Sequence, residues 1–296
     1  MFKLFSRKKV FLATLKSRSA DDRDAFGLKE FAKGTNPIID IVAIHGLNGH
    51  RERSWTADNG VNWLKDLLPE KSPNARIFSY GYDSRTHGPV SEQHLHDHGV
   101  ALVSDLSLVR RSTQTEGRPI IFIAHSLGGI ICKSALIHAS LANKDHLGGN
   151  DVPLAKSLIN IASVFIDTNT KLLKHLEMHS EMLEHQTEQY TSISGQFETK
   201  FLYETYMTPT PAGKKLIVPK FSAVIPGAIN AEEIGINRNH REMVKFRSAE
   251  DEAFRKVYLT INLMMSSALP HTIERQRRLQ EAEQEETDLS WAAAYA

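Results

Sequence analysis

The sequence predicts an α/β protein with a mostly parallel sheet and helices on both faces. Short, near-continuous apolar runs rich in β-branched residues alternate with segments of helical character. Such runs are typical of parallel strands covered on both faces, and their alternation with helices implies right-handed crossovers. The composition agrees, because 296 residues with 41% hydrophobic and 24% charged residues suit a folded domain with a sizeable core.

The strands and helices follow in chain order. The predicted strands of the first half are Pro37–Ile44, Arg76–Tyr80 and Pro119–Ala124. The predicted helices between them are Val61–Leu68, ended by Pro69, and a longer one from Ser91 to Arg111. Further strands are expected at Phe201–Tyr203, Leu216–Val218 and Phe221–Ile225, with a closing helix at Asp251–Met265.

Charge and cysteine content exclude several classes of protein. Lys and Arg total 36 and Asp and Glu total 35, so a net charge of +1 predicts no nucleic-acid partner. The single cysteine, Cys132, cannot form an internal disulfide, and no apolar run approaches the length of a membrane-spanning helix. We therefore expect an intracellular globular protein.

The two ends differ from the body. We predict a basic segment at residues 1–24, a folded domain at 25–268 and a polar helical tail at 269–296. Six basic residues precede the first acidic residue, Asp21, with apolar residues between them. This pattern fits a solvated terminus, and it also fits a mitochondrial presequence or a segment that lies on an anionic membrane. We accordingly expect the protein to be located in the cytoplasm or to associate with a mitochondrial or endoplasmic reticulum membrane.

The most informative motif follows the third predicted strand. The strand runs into Ala124-His125-Ser126-Leu127-Gly128, and an amphipathic stretch follows. This is the nucleophile-elbow pattern, in which a serine occupies a sharp strand-to-helix turn between small residues. The hydroxyl of Ser126 is then exposed for attack, and the N–H of Leu127 faces a developing oxyanion. The alternative interpretation is a packed glycine turn with an idle serine.

A second oxyanion donor is expected in the loop after the first parallel strand. His45-Gly46-Leu47-Asn48-Gly49 follows that strand. Gly46 allows the backbone to approach a substrate, and the N–H of Leu47 is the candidate donor. His45 is interpreted as a residue that organises the loop rather than as a base.

These motifs resemble the serine-active-site-containing, lipase-like α/β-hydrolases, and more closely the hydrolase domain at the front of fungal NACHT and NB-ARC receptor-like proteins. The resemblance implies an α/β-hydrolase fold and a serine esterase or lipase-like activity. The matching stretches are Asp40–Leu47, Ser54–Thr56, Trp63–Leu68, Tyr80–Asp83, Arg118–Leu136, Phe201–Thr205 and His240–Phe246. No Gly-x-x-x-x-Gly-Lys-Ser/Thr phosphate loop occurs in the chain, so the ATPase module of those receptors is absent from it.

The catalytic base and acid are expected after the serine, in the order serine, acid, histidine. His240 matches the family histidine and is preferred over His271, which follows Pro270 in the polar tail. Glu204 closes the predicted strand at 201–203 and is the candidate acid. The alternatives for the acid are Glu232, Glu233 and Asp167.

The sequence departs from the family after the elbow helix. Relatives have a further strand that ends in a Gly-Thr-Pro-His-like turn, and no such turn occurs around Gly148 and Gly149. The strand between the nucleophile strand and the acid strand is therefore predicted to be missing. By composition, Leu158–Ile166 is compatible with a replacement strand, but its match to the family favours a helix. The missing strand keeps open a non-catalytic signalling or interaction module as the alternative to an enzyme.

No metal or organic cofactor is expected. His94, His96 and His98 suggest a metal site, but on a helix His96 points away from the other two, so a solvated face is favoured. His175 and His179 lack the glutamate of the zinc-protease signature, since Leu176 occupies its place. The region of Met178, Met182 and Leu183 suggests either a lid over a lipid-like substrate or a core stripe. The predicted reaction is hydrolysis of a small-molecule or lipid-like carboxylic ester through an acyl-serine intermediate.

Overall fold

The structure is a computed structural model that describes residues 25–85, 95–145, 157–158, 180–210, 213–216, 225, 227–268 and 270. The predicted basic segment at 1–24 and nearly all of the predicted tail at 269–296 lie outside the described residues. In the described part, no helix combines the length and the apolar character that crossing a membrane requires.

The strands of the first half of the chain form a four-stranded sheet. Its strands are β1 (Gly27–Ala32), β2 (Ile39–Ile44), β3 (Ala75–Gly81) and β4 (Ile120–Ala124), in the order β1-β3-β2-β4. Strand β2 pairs in parallel with β3 and with β4, whereas β1 pairs antiparallel with β3. The three predicted parallel strands are therefore present. Strand β1 was not predicted, because a half-buried edge strand lacks the continuous apolar run of a central one.

The second half of the chain contributes three more parallel strands and a hairpin. The parallel strands are β5 (Ser157–Leu158), β6 (Glu198–Glu204) and β9 (Ala231–Ile236), in the order β5-β6-β9. The hairpin consists of β7 (Thr208–Thr210) and β8 (Gly213–Lys215). Strand β6 agrees with the prediction at 201–203 and extends it at both ends.

The strand that leads to His240 was not predicted from the sequence. Strands were expected at 216–218 and 221–225, but Leu216 lies beyond the end of β8, and residues 217–224 lie outside the described residues. Among the described residues this strand is β9, which ends at Ile236, four residues before His240. It was missed because Glu232, Glu233 and Gly235 give it neither an apolar run nor an alternating pattern. Its backbone pairing with β6, rather than the burial of its side chains, defines it as a strand.

In the described part of the chain, six helices pack on the sheets. They are α1 (Trp63–Asp66), α2 (Leu68–Lys71), α3 (Leu95–Ser112), α4 (Leu127–Asp145), α5 (Ser180–Ile193) and α6 (residues 252–268). The prediction that Pro69 ends a helix at 61–68 is wrong, because Pro69 lies in the first turn of α2. Proline is tolerated there because the first N–H groups of a helix have no intrahelical acceptor.

Alternate residues of each central strand point into two separate cores. Ile39, Ile41 and Ala43 of β2 pack with α1, α2 and α6, whereas Val42 and Ile44 pack with α3, α4 and α5. This alternation is the period of two that a strand imposes on its side chains. Helices therefore cover both faces of the sheet, as the fold-class prediction required.

Strand β5 lies between the nucleophile strand β4 and the acid strand β6, where a strand was predicted to be missing. It pairs with β6 and also contacts β4, the strand that leads to Ser126. Leu158 therefore belongs to a strand and not to the helix expected at 158–166. Residues 146–156 and 159–179 lie outside the described residues, including Gly148, so the loss of a full strand stays a prediction.

Candidate active site

Ser126 occupies a strained turn between β4 and α4. Its backbone φ is +68°, a left-handed value that a non-glycine residue adopts only when its surroundings enforce it. The enforcing contacts are backbone hydrogen bonds. The N–H of His125 donates to the carbonyl of Ile44 at 3.0 Å, and the N–H of Gly128 donates to the carbonyl of His125 at 3.0 Å. The strand–turn–helix context predicted for the elbow is therefore present.

Two glycines make the close approaches around the elbow possible. A Cβ added to Gly46 would lie 2.6 Å from Oγ of Ser126, nearer than real Cβ contacts come. A Cβ added to Gly128 would lie 2.6 Å from the carbonyl oxygen of His45, and nearer still to that of Ile44. The backbone after β2 and the start of α4 therefore contact each other directly, with the side chain of Ser126 between them.

The loop after β2 is held in place by His45. Its Nδ1 donates to the carbonyl of Gly46 at 2.9 Å, and its ring stacks on Tyr82 with a centroid separation of 4.5 Å. The hydroxyl of Tyr82 donates to the carbonyl of His45 at 2.9 Å. Burial lowers the pKa of His45 to about 4, so its imidazole is neutral at ordinary pH. These contacts agree with the interpretation of His45 as the organiser of the loop that carries Gly46 and Leu47.

Glu204 and His240 meet at the ends of adjacent parallel strands. Oε2 of Glu204 accepts a hydrogen bond from the backbone N–H of His240 at 2.9 Å. Oε1 lies 3.8 Å from Nδ1 of His240, beyond hydrogen-bond length. Catalytic hydrogen bonds are often long without substrate, so this separation is compatible with an acid–base pair that tightens on binding.

Thr208 also belongs to this cluster, and the sequence analysis missed it. Its hydroxyl donates to Oε2 of Glu204 at 3.3 Å and accepts from the backbone N–H of His240 at 3.2 Å. Thr208 is 1% exposed. Thr208 follows Glu204 by only four residues, but no local motif marks a threonine at the start of a short strand. Its contact with His240, 32 residues further along the chain, depends on the tertiary fold.

His125 is the second residue that the sequence analysis did not single out. Its ring stacks on that of His240 with centroids 4.7 Å apart, and its Nε2 donates to the carbonyl of His240 at 3.1 Å. Burial lowers the pKa of His125 to about 4. Burial also lowers the pKa of His240 well below 6.5, with smaller contributions from His125 and Arg241. A neutral His240 is the form that can accept a proton.

The predicted site residues converge on one cavity of about 390 Å³. Ser126, His240, Gly46 and Leu47 line it, while Glu204 lies behind His240 with 4% of its surface exposed. Leu127 is the first residue of α4, so its N–H has no acceptor within the helix and remains available to a ligand. The remaining lining residues are Asn48, Gly49, His50, Arg53, Ser54, His125, Arg241, Val244 and Lys245.

The two described alternatives for the acid, Glu232 and Glu233, do not line this cavity. Glu232 and Glu233 are exposed on β9, and Glu232 accepts from Lys200 at 2.7 Å. Asp167 and His271 lie outside the described residues, as do His94, His175, His179 and Met178. Leu183 packs against the core, and the side chain of Met182 is not described.

His96, His98 and Cys132 do not line the cavity. His96 is exposed and contacts the ring of His138, whereas His98 is buried against Tyr82. Among the described residues, no three His, Cys, Asp or Glu side chains are grouped as metal ligands. Cys132 is buried in the core, and burial raises the pKa of its thiol.

The chain is similar to known proteins in sequence and in structure. The Protein SERAC1 of Danio rerio is 26% identical over an alignment of 219 residues, which covers 62% of this chain and 33% of that protein. The Protein SERAC1 of Mus musculus is 28% identical over 128 residues, or 36% of this chain and 19% of that protein. This chain therefore spans a third or less of the length of these relatives.

A structural neighbour supports the fold. The crystal structure of the Bacillus licheniformis lipase BlEst2 in mature form aligns with a TM-score of 0.51 and 16% identity, covering 80% of this chain and 97% of that chain. The sequence profile of the alpha/beta hydrolase family matches residues 41–228, which is more than half of the chain and includes the elbow and Glu204. This chain belongs to the alpha/beta hydrolase family.

Proposed function

We propose that this protein is a serine hydrolase that cleaves carboxylic esters through an acyl-Ser126 intermediate. One observation carries the proposal: the strained Ser126 turn lies against the Gly46 backbone and shares a cavity with His240. A serine alone in a glycine turn would not need a buried histidine in the same cavity. The chemistry requires no metal or organic cofactor.

His240 acts first as base and then as acid. The neutral imidazole takes the proton of the Ser126 hydroxyl as Oγ attacks the ester carbonyl, and it returns that proton to the leaving alcohol. Water then repeats the sequence on the acyl-enzyme and releases the carboxylic acid. Burial keeps His240 neutral before the reaction, so the base is ready at neutral pH.

Glu204 supports the imidazolium that forms in each step. Its carboxylate lies 3.8 Å from Nδ1 of His240 and is anchored by the backbone N–H of the same residue at 2.9 Å. The carboxylate opposes the charge on the protonated ring and favours the tautomer with Nδ1–H. Thr208, bonded to Glu204 at 3.3 Å, limits the rotation of that carboxylate.

The N–H groups of Leu127 and Leu47 bind the oxyanion. Leu127 begins α4, where the helix dipole and a free N–H favour negative charge. Leu47 lies on the loop that His45 holds rigidly against the elbow. Fixed donors of this kind stabilise the tetrahedral intermediate without reorganising during the reaction.

Labelling with a fluorophosphonate probe tests this assignment. We expect the unmodified chain to be labelled and Ser126→Ala to be unlabelled. Ser192→Ala is the matched control, because Ser192 is exposed and its hydroxyl donates to the carbonyl of Gln189 at 2.7 Å. Undiminished labelling of Ser126→Ala would refute the nucleophile, and an unlabelled wild-type chain would favour a non-catalytic interaction module.

The ends of the chain carry a separate proposal. We propose that residues 25–268 form the hydrolase domain and that the basic residues at 1–24 contact an anionic membrane surface or direct the chain to mitochondria. The support is the run of six basic residues before Asp21. A fluorescent reporter fused to residues 1–24 should concentrate at membranes or in mitochondria, whereas the reporter without this segment is distributed uniformly in the cytosol. A uniform distribution of the fusion would contradict the proposal.

A further inference from the structure

We infer that Arg241 and Lys245 form an anion subsite at the rim of the cavity, so that the preferred ester carries a negative charge near its reacting carbonyl. The inference rests on the proposed function and deepens it by naming a substrate class. The anionic group is a carboxylate on the acyl side or a phosphate on the alcohol side of the ester.

The charged side chains that line the described cavity are all basic. Arg53, Arg241 and Lys245 line it, and no aspartate or glutamate is among its described lining residues. Arg53 comes from the segment after the oxyanion loop, whereas Arg241 and Lys245 come from the segment that begins with His240. The fold therefore gathers positive charge from two distant parts of the chain at one opening, although the whole chain is nearly neutral at +1.

Nearby carboxylates in the described part of the chain are engaged elsewhere. Glu242 accepts from the amide nitrogen of Asn239 at 2.8 Å. Glu52 binds Lys29 and Lys65 at 2.9 and 2.7 Å. Among the described residues, no carboxylate lies within ion-pair distance of the side chains of Arg241 or Lys245. Their charge is therefore available to a ligand in the cavity.

The charges of Lys245 and Arg241 act on the buried histidines of the site. Beyond the effect of burial, Lys245 lowers the pKa of His125 and Arg241 lowers the pKa of His240. Cations close enough to disfavour a proton on these rings are close enough to attract an anion bound beside them. Arg241 is exposed and Lys245 is half-buried, so both can contact a substrate that enters from solvent. A guanidinium suits the planar pair of oxygens of a carboxylate or phosphate.

Matched ester pairs test the subsite. The acyl-side pair is 4-nitrophenyl butyrate and the 4-nitrophenyl monoester of succinate, which differ in a terminal carboxylate. The alcohol-side pair is 1-butyrylglycerol and 1-butyrylglycerol 3-phosphate. We expect kcat/KM to favour the anionic member of at least one pair by about ten-fold or more, the value of a hydrogen-bonded charge contact. The pair that shows the preference identifies which side of the ester carries the anion.

The variants distinguish charge from structure. Arg241→Gln combined with Lys245→Gln should remove the preference, whereas Arg241→Lys with Lys245→Arg should retain it. Arg247→Gln is the matched control, because Arg247 pairs with the exposed Asp58 at 2.6 Å and does not line the cavity. High salt should reduce the preference of the wild-type chain. Measurable and equal rates for both members of both pairs, or a preference that survives the double Gln variant, would overturn the inference.

Binding in a Ser126→Ala background separates this inference from the proposed function. Calorimetric titration of that variant with each ester reports affinity without turnover. If no ester is cleaved by the wild type but the anionic esters bind more tightly and lose that advantage with Arg241→Gln and Lys245→Gln, the esterase proposal fails and the subsite stands. Equal affinities for neutral and anionic esters would reject the subsite.

Discussion

Replacing Gly46 with alanine is the sharpest perturbation of the site, because it adds one methyl group against the nucleophile. The new Cβ would lie 2.6 Å from Oγ of Ser126 and 3.1 Å from the carbonyl oxygen of His125. An ordinary contact begins near 3.4 Å, and the new Cβ would lie nearer still to Cβ of Ser126, so the loop and Ser126 must separate by more than about 0.8 Å. That movement carries the candidate donor Leu47 away from the position of the oxyanion.

The expected cost follows from this displacement. A misplacement of about 1 Å reduces turnover by roughly 100-fold, and loss of one oxyanion donor costs about 100- to 1,000-fold. We therefore expect Gly46→Ala to lower kcat/KM by about 100-fold or more. The cavity beside Gly46 can accept part of the movement, so we expect a smaller effect on thermal stability than on rate.

Hydrolysis of 4-nitrophenyl butyrate and the rate of fluorophosphonate labelling measure the effect, with thermal unfolding as the check on folding. Gly195→Ala is the matched control, since its Cβ would make only an ordinary contact of 3.6 Å with Ile229. A Gly46→Ala variant that keeps wild-type kcat/KM would refute the claim that the loop must contact Ser126 closely for catalysis.

Three further predictions follow from the same contacts. Thr208→Val removes the hydroxyl that donates to Glu204 at 3.3 Å and should lower kcat by about ten-fold. Thr208→Ser keeps a hydroxyl and should keep the wild-type kcat. Equal kcat values for the two variants would contradict the positioning role of Thr208. Burial lowers the pKa of His240 well below 6.5, so the base stays deprotonated above pH 6.5. The acid limb of the kcat/KM–pH profile should therefore have its midpoint below pH 6.5. A midpoint at or above pH 6.5 would be inconsistent with the burial of His240. Asp40 is 0% exposed and binds the buried Arg76 at 2.9 Å and the partly buried Arg118 at 3.0 Å. Asp40→Ala should therefore lower the free energy of unfolding by about 3–5 kcal/mol in urea titrations, against less than about 1 kcal/mol for the exposed Asp58→Ala. Similar losses for the two variants would contradict the argument from burial.

Local sequence predicted the parts of the molecule that depend on few residues. The elbow around Ser126 needs a strand, small neighbours and a helix, all within a short stretch, and its strained turn is present in the structure. The central strands β2, β3 and β4 were predictable because burial on both faces leaves a continuous apolar run. Strands β1 and β9 at the sheet edges were not, because their pairing partners rather than their side chains define them.

The sequence by itself determined the α/β architecture and the expectation that Ser126, Glu204 and His240 act together. Tertiary structure alone decided what surrounds these residues, because each contact joins segments far apart in the chain. It brings the hydroxyl of Thr208 to the backbone N–H of His240 and stacks the ring of His125 on that of His240. It also gathers Arg53 with Arg241 and Lys245 at one cavity. No local pattern encodes such proximity, since it arises from the order and register of parallel strands whose ends meet at the same edge of the sheet.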